Sequence, residues 1–293
     1  MSCNLCGSPL AAGQRPRWVK DGFEVFQCTN CGLVFRGDLP DSEALKTIYG
    51  AGYFRREDGG DATSYADYLS DELEHRLTGR QRVARLNRVS GGRGRLLDVG
   101  AAAGFFMAEA KAQGWEAQGI DVSRQMGSWG REKLDLDIAT GLFQDSEYRP
   151  GLFDAITMWD YIEHSIDPAA DFAKAAQVLR PKGVLMLSTG DVGSIVARLS
   201  GRRWHLLTPR HHNFFFTVET LARYLGDNGF HIVSAKHPGA HYSLRYIAHK
   251  LRTMAPRSAV LRRLSAEVDA RALGEWSLRL NLFDIVTIVA RRV

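Results

Sequence analysis

Between Arg95 and Thr189 the chain alternates five short apolar runs with stretches of helical pattern, and this alternation restricts its fold more than any other feature. Arg95-Leu-Leu-Asp-Val-Gly100 reads as a buried strand, and Ala101-Ala-Ala-Gly-Phe-Phe-Met107 as a tight turn entering a helix. A second strand ends at Gly119-Ile-Asp121. The third covers Ile138 to Thr140, the fourth Ala155 to Trp159 and the fifth Val184 to Thr189. Such alternation means an α/β fold, with parallel strands covered by helices. Ligands in that fold lie beyond the carboxyl ends of the strands, so Gly100, Asp121, Asp145 and Asp160 should converge on one crevice. With 293 residues, 45% of them hydrophobic, there is material for one medium-sized domain and a small accessory one.

All four cysteines fall into two pairs, Cys3-Asn-Leu-Cys6 and Cys28-Thr-Asn-Cys31, separated by a stretch that reads as a hairpin. Each pair is followed by a glycine, Gly7 or Gly32, able to take the positive φ that turns backbone N–H groups toward thiolates. Four convergent thiolates make a closed tetrahedral zinc site with no position open to substrate, so the zinc should be structural. Two disulfides are the competing pattern, disfavoured in a reducing compartment. Val19, Phe23, Val25 and Phe26 supply apolar residues to this module, which needs its metal to hold a fold.

A glycine-rich turn with an acidic residue about 20 positions later also marks dinucleotide sites. That pattern wants three glycines at fixed spacing, and counting from Gly100 the third and sixth positions are Ala102 and Phe105. Asp98-x-Gly100-x-Ala102-x-Gly104 instead resembles the first motif of class I methyltransferases, with one glycine replaced by alanine. The resemblance continues through Gly151-Leu-Phe-Asp-Ala-Ile-Thr-Met-Trp-Asp-Tyr-Ile-Glu-His-Ser-Ile-Asp-Pro168 and Val178-Leu-Arg-Pro-Lys-Gly-Val-Leu-Met-Leu187. Leu282 to Val293 looks like the family's last, antiparallel strand. It implies a Rossmann-like class I methyltransferase sheet at residues 91–293, with a helical insertion at about 241–278. A zinc ribbon over 1–37 and a helical lid or linker over 38–90 would precede it.

The cofactor so implied is S-adenosylmethionine. By resemblance, the backbone of Gly100, Ala101, Ala102 and Gly104 packs against its methionine part and Asp98 orders the loop. Asp121, followed by Val122, accepts the ribose hydroxyls with its two carboxylate oxygens; its competing role is a helix N-cap. Asp145 is placed to accept from the adenine amine, unless it serves turn chemistry. Trp159 and Phe143 either flank the adenine or fill the core, and Asp160 closes the set at the end of the fourth strand. The segment Tyr49-Gly-Ala-Gly-Tyr-Phe54, with Tyr65, Tyr68 and a helix over Leu69 to Leu86, reads as a lid or as linker packing.

An oxygen or nitrogen acceptor must lose a proton, and a histidine suits that task. His164, after the fourth strand, and His211 and His212, within Pro209-Arg-His-His-Asn-Phe-Phe-Phe216, are the candidates; each could instead contact substrate or serve structure. Asp160, Glu163 and His164 also resemble a cluster associated with a divalent cation in ubiquinone-pathway O-methyltransferases, although Asp160 stands where those have Glu.

In the insertion, Leu244, Ile247, Leu251 and Met254 share a helix face, a break follows at Pro256, and Arg257, Arg262, Arg263 and Arg271 come after it. This could be a peripheral contact with anionic lipid, a cover for the acceptor pocket or a homodimer surface. A net charge of +5 permits an anionic partner without demanding one. The N-terminus lacks a leader pattern and no run of about 18 apolar residues occurs, which predicts a cytoplasmic protein. A small-molecule acceptor, a sugar-like or secondary-metabolite hydroxyl, is the leading expectation. RNA methylation guided by the ribbon, with Arg15, Arg17, Lys20 and Arg36, and a non-enzymatic nucleic-acid-binding module are the alternatives.

Overall fold

The computed structural model describes residues 1–49, 68–254 and 276–293. The chain opens with three short strands, β1 (Trp18–Lys20), β2 (Phe23–Gln27) and β3 (Val34–Arg36), followed by α1 (Ser42–Ile48) and α2 (Glu72–Ser90). Then come β4 (Arg95–Val99), α3 (Phe105–Ala112), β5 (Glu116–Asp121), α4 (Arg124–Leu134), β6 (Asp137–Thr140) and β7 (Phe153–Trp159). The second half holds α5 (Pro168–Val178), β8 (Leu179–Gly190), α6 (Ile195–Ser200), β9 (Phe214–Phe215), α7 (Val218–Asp227) and β10 (Phe230–Lys236). It closes with β11 (Ala240–Ser243), α8 (Leu244–Met254), β12 (Ser277–Leu280) and β13 (Ile285–Arg292).

Seven strands make the main sheet in the order β10-β13-β8-β7-β4-β5-β6. Strands β4 to β8 run parallel, while β13 is antiparallel to both β8 and β10. Side chains alternate between its two faces because the strand period is two. Leu97, Val99, Ile156, Met158, Leu185 and Leu187 share one core cluster with Phe172 and Tyr224. Leu96, Ala155, Trp159, Val184 and Met186 join Val83 and Leu86 of α2 in the other. Both faces are therefore dry, as continuous apolar strands require. The expected strands are all present; β8 begins earlier than Val184, with a bend at Lys182 where φ is 62°.

The expected hairpin of the cysteine module is β1–β2–β3, but the module does not stand apart. Its edge strand β3 pairs with β9, Val34 opposite Phe215 and Phe35 opposite Phe214, so residues far along the chain complete its sheet. Cys3, Cys28, Leu33 and Phe35 lie in the same core cluster as the main sheet. On the other side, Val25 and Val34 pack with Trp204, Leu207 and Phe215. Asn4, between the first two cysteines, donates to Asp167 Oδ1 (2.9 Å) and accepts from the Ala169 N–H and the Tyr224 hydroxyl. Too small to bury its own apolar side chains, the module borrows a core. Of the apolar residues expected to supply the module, Val19 contributes little: alternation along β1 turns it outward, 52% exposed.

The expected insertion is framed by a two-stranded sheet, β11 against β12, which its helical pattern did not announce. Leu244 to Met254 is helical as expected, whereas Pro256 and the arginines from Arg257 to Arg271 lie outside the described residues. So do Phe54, Tyr65 and the rest of residues 50–67 of the expected lid, whose helical part is α2. Among the described residues, no helix is long and apolar enough to cross a membrane.

The shared core predicts that the cysteine module cannot melt independently. Cys28→Ser should lower one cooperative transition of the whole chain in scanning calorimetry and increase hydrogen exchange at Phe214–Phe216. Two separate transitions, only one of them shifted, would show an autonomous module.

Candidate active site

The crevice forms where β4 and β5 end. After β4 the chain must turn sharply, and Gly100 and Gly104 take φ of 76° and 80°. A Cβ at Gly100 would sit 2.8 Å from the Tyr161 ring, so only glycine fits. Ala102, at φ 47°, takes the same left-handed region with a side chain. What holds it there is Asp121: one carboxylate oxygen accepts from the Ala102 N–H and the other from the Ser123 N–H, each at 2.7 Å. Each oxygen keeps a further acceptor site, the geometry needed to receive a vicinal diol. Asp121 is not the N-cap of α4; Ser123 has that role. Burial raises the Asp121 pKa against the two N–H bonds that lower it.

Asp98 is buried and accepts from the Thr157 hydroxyl at 2.6 Å. Burial pushes its pKa up to about 7, with the Thr157 bond working in the opposite direction. A cationic amino group beside it would favour the ionised form. Val122, Ala101, Phe143 and Gln144 also line the crevice, but Asp145 does not. The turn made by its N–H to the Leu142 carbonyl (3.2 Å) leaves Asp145 exposed, so the turn reading is the one the geometry follows. Trp159 and Phe143 belong to different core clusters, on opposite faces of the sheet, and do not form a pair.

Asp160, at φ 51°, accepts from Ser188 Oγ (2.8 Å) and from Arg82 Nη2 (3.0 Å), whose guanidinium lies 4.4 Å from the centre of the Trp159 ring. Arg82 was not among the expected site residues. It stands on α2 with His75, Thr78 and Arg85, all lining the cavity. The spacings of three, four and three place them on one helix face, a signal the sequence did carry. Tyr68, its ring stacked 5.7 Å from Phe105, adds to that wall.

The three expected histidines cluster. The rings of His164 and His212 are 4.7 Å apart. His164 Nδ1 lies 3.0 Å from the His211 carbonyl, and His212 Nδ1 lies 2.9 Å from the Leu206 carbonyl. A carbonyl only accepts, so in both rings Nδ1 carries the proton. The Tyr49 hydroxyl, the described end of the lid, sits 2.5 Å from His164 Nδ1 and donates to the His211 carbonyl. Burial pulls the His164 pKa down to about 4 and the His212 pKa well below its ordinary value. Glu163, pushed up to about 8 by burial and by Asp160, completes a group whose ligand atoms lie within 4.8 Å of one another. Glu163, His164 and His212 are thus a candidate cation site. Asp160, the other member of the expected cluster, is instead engaged by Arg82 and Ser188.

The cysteine sulfurs converge as expected. Cys3 Sγ lies 3.4 Å from Cys31 Sγ, and Cys6 Sγ 3.6 Å from Cys28 Sγ. A disulfide needs about 2 Å. Tetrahedral thiolates at about 2.3 Å from zinc would stand about 3.8 Å apart. Gly7 and Gly32 take φ of 70° and 79°, although their N–H groups reach the Cys3 and Cys28 carbonyls. The donor set fits zinc.

Loop, acidic acceptor and antiparallel last strand together define the class I methyltransferase fold. A family model described as a methyltransferase domain matches residues 68–235, over half of the chain, and the chain belongs to that family of S-adenosylmethionine-dependent methyltransferases. Among curated proteins, the ubiquinone biosynthesis O-methyltransferase of Xanthomonas campestris pv. campestris (strain B100) is 33% identical over 102 residues, 32% of this chain and 42% of that one. The enzyme of the same name from Xanthomonas euvesicatoria pv. vesicatoria is 27% identical over 155 residues, 47% of this chain and 63% of that one. The matches thus span less than two thirds of those relatives. Among solved structures, a SAM-dependent methyltransferase from Archaeoglobus fulgidus has a TM-score of 0.52 at 18% identity, covering 77% of this chain and 99% of that one. A possible histamine N-methyltransferase from Thermotoga maritima has a TM-score of 0.51 at 17% identity, covering 77% and 95%. These establish the fold.

Two outcomes are expected. Asp121→Ala removes two charge-assisted acceptors and should weaken S-adenosylmethionine about 100-fold in calorimetric titration while the protein stays folded; unchanged affinity would remove the assignment. Asp98 holds its proton longer folded than unfolded, so its stabilisation is complete below about pH 4 and fades as pH rises through about 7. Asp98→Asn should therefore flatten the fall in Tm over that window in the ligand-free protein, and an unchanged slope would contradict the buried carboxyl's role.

Proposed function

We propose that this methyltransferase acts on a hydroxyl of a small molecule, sugar-like or from secondary metabolism. The observation that carries the reading is one cavity of about 680 Å³ containing both the cofactor loop and an apolar annex. Its size is that of a site for small ligands. Gly100, Asp121 and Val122 line one part; Tyr242, Tyr246, Leu280 and Leu282, from the insertion and its frame, line another. S-adenosylmethionine supplies an electrophilic methyl group, and the chain's task is to hold an acceptor in line with it. Fixing two reactants in place is worth about 7 to 11 kcal/mol in favourable cases. The names of the curated relatives, which are O-methyltransferases, support oxygen as the acceptor atom.

Zinc at Cys3, Cys6, Cys28 and Cys31 is proposed as structural. The ribbon's basic residues give RNA guidance little support, because Arg17, Lys20 and Arg36 are engaged within the chain. Arg36 donates to Asp38 and to the Pro209 carbonyl, Lys20 to the Trp204 carbonyl, and Arg17 to Gln27.

The test is titration with S-adenosylmethionine, followed by transfer of its labelled methyl group to catechol, glucose and a dTDP-sugar, with a structured RNA in parallel. Micromolar cofactor binding with label in a hydroxyl compound is the expected result. Label in the RNA alone would overturn the reading.

A further inference from the structure

The wall of the cavity opposite the cofactor loop carries a histidine held by a buried carboxylate. His205 Nε2 lies 2.7 Å from Asp284 Oδ2, and the Trp204 indole N–H donates to the same oxygen at 2.9 Å. Asp284 is 2% exposed and immediately precedes β13. Burial pushes its pKa up, but the bonds from His205 and Trp204 outweigh that and keep it below the ordinary carboxylate value. The carboxylate accepts, so Nε2 of His205 carries the proton. The lone pair is then on Nδ1, for which no hydrogen-bond partner occurs among the described residues.

The location follows from topology. Because β13 is antiparallel to β8, its first residues stand at the edge where β7 and β8 end; Ile285 is opposite Gly190 and Val286 opposite Thr189. That places Asp284 beside the crevice. A Cβ at Gly190 would come within 3.0 Å of the Trp204 ring and 3.2 Å of Leu206, so glycine there lets the His205 loop lie against the end of β8. His205, Ser188, Gly190, Ile285 and Thr287 all line the cavity that holds the cofactor loop. The cofactor side is over β4 and β5, which leaves the space above β7, β8 and β13 for the acceptor.

We propose that His205, oriented by Asp284, is the general base of methyl transfer, a role that rests on the hydroxyl-acceptor reading above. The acceptor oxygen forms its bond to the methyl carbon as the carbon–sulfur bond breaks, the electron pair leaving with sulfur. The hydroxyl proton passes to Nδ1 of His205, and Asp284 stabilises the imidazolium that results. Backbone carbonyls anchor the His164 and His212 rings through Nδ1, whereas the Asp284 carboxylate fixes the His205 ring and also compensates its charge.

The experiment uses the whole 293-residue chain in two measurements. In the complex with S-adenosylhomocysteine, nitrogen NMR of the histidine rings should show His205 protonated on Nε2 and bare on Nδ1 at neutral pH, and Asp284→Asn should change that tautomer. In methyl transfer to the best hydroxyl compound of the panel, His205→Ala should lower kcat roughly 100-fold or more. Cofactor affinity should stay within a few-fold, the acid limb of the rate profile should disappear, and added imidazole should restore part of the rate. A proton on His205 Nδ1 in the first measurement, or an unchanged kcat and pH profile in the second, overturns the proposal. Failure of the wild-type protein to methylate any hydroxyl compound overturns the acceptor reading instead, and the tautomer still tests His205 independently.

Discussion

The turn after β4 carries a conformational burden that the sheet cannot relieve, and one carboxylate meets it. Gly100, Ala102 and Gly104 all adopt positive φ within five residues, which strains Ala102 in particular. The N–H groups of Gly100 and Ala101 reach the Ile120 carbonyl, and that of Ala102 reaches Asp121. Through its second oxygen Asp121 also fixes Ser123, which starts α4. One side chain thereby locks the loops after two neighbouring strands against each other. It can then present its remaining acceptor sites to a ligand without rearranging.

The far side of the cavity is assembled differently, from pieces of chain remote in sequence. The cysteine module reaches this side through its own sheet: β3 pairs with β9, the Arg36 N–H donates to the Asn213 carbonyl, and Asn213 in turn binds the Glu163, His164 and Ser165 backbone. A four-cysteine cluster that fixes the path of β2 and β3 therefore also fixes one wall of the cavity. This gives the cysteine module a physical role in the enzyme, as a buttress for Phe214–Phe216 and the histidines before them.

Different kinds of residue were legible to different degrees. Strand positions, the glycine turn, Asp121 and the paired cysteines depend on local periodicity and spacing, and each stands where the sequence placed it. Asp145 had two readings, ligand or turn residue, because the two look alike in one dimension; the structure shows its turn. Trp159 and Phe143 were read as flanking the adenine or filling the core; both are buried, in different core clusters. Arg82 was findable from helix spacing. His205 and Asp284 were not, since 79 residues separate them and neither sits in a motif.

By itself the sequence determined the order of strands and helices, the glycine turn after β4 and the two converging cysteine pairs, because short-range backbone preferences and the chemistry of thiolates act over a few residues. Only the tertiary structure decided that the ribbon shares the main core, that the histidine pair His164 and His212 is buried with Glu163, and that Asp284 meets His205. Those outcomes depend on which surfaces bury each other and on the reversed direction of β13, and neither is encoded in any local stretch of the chain.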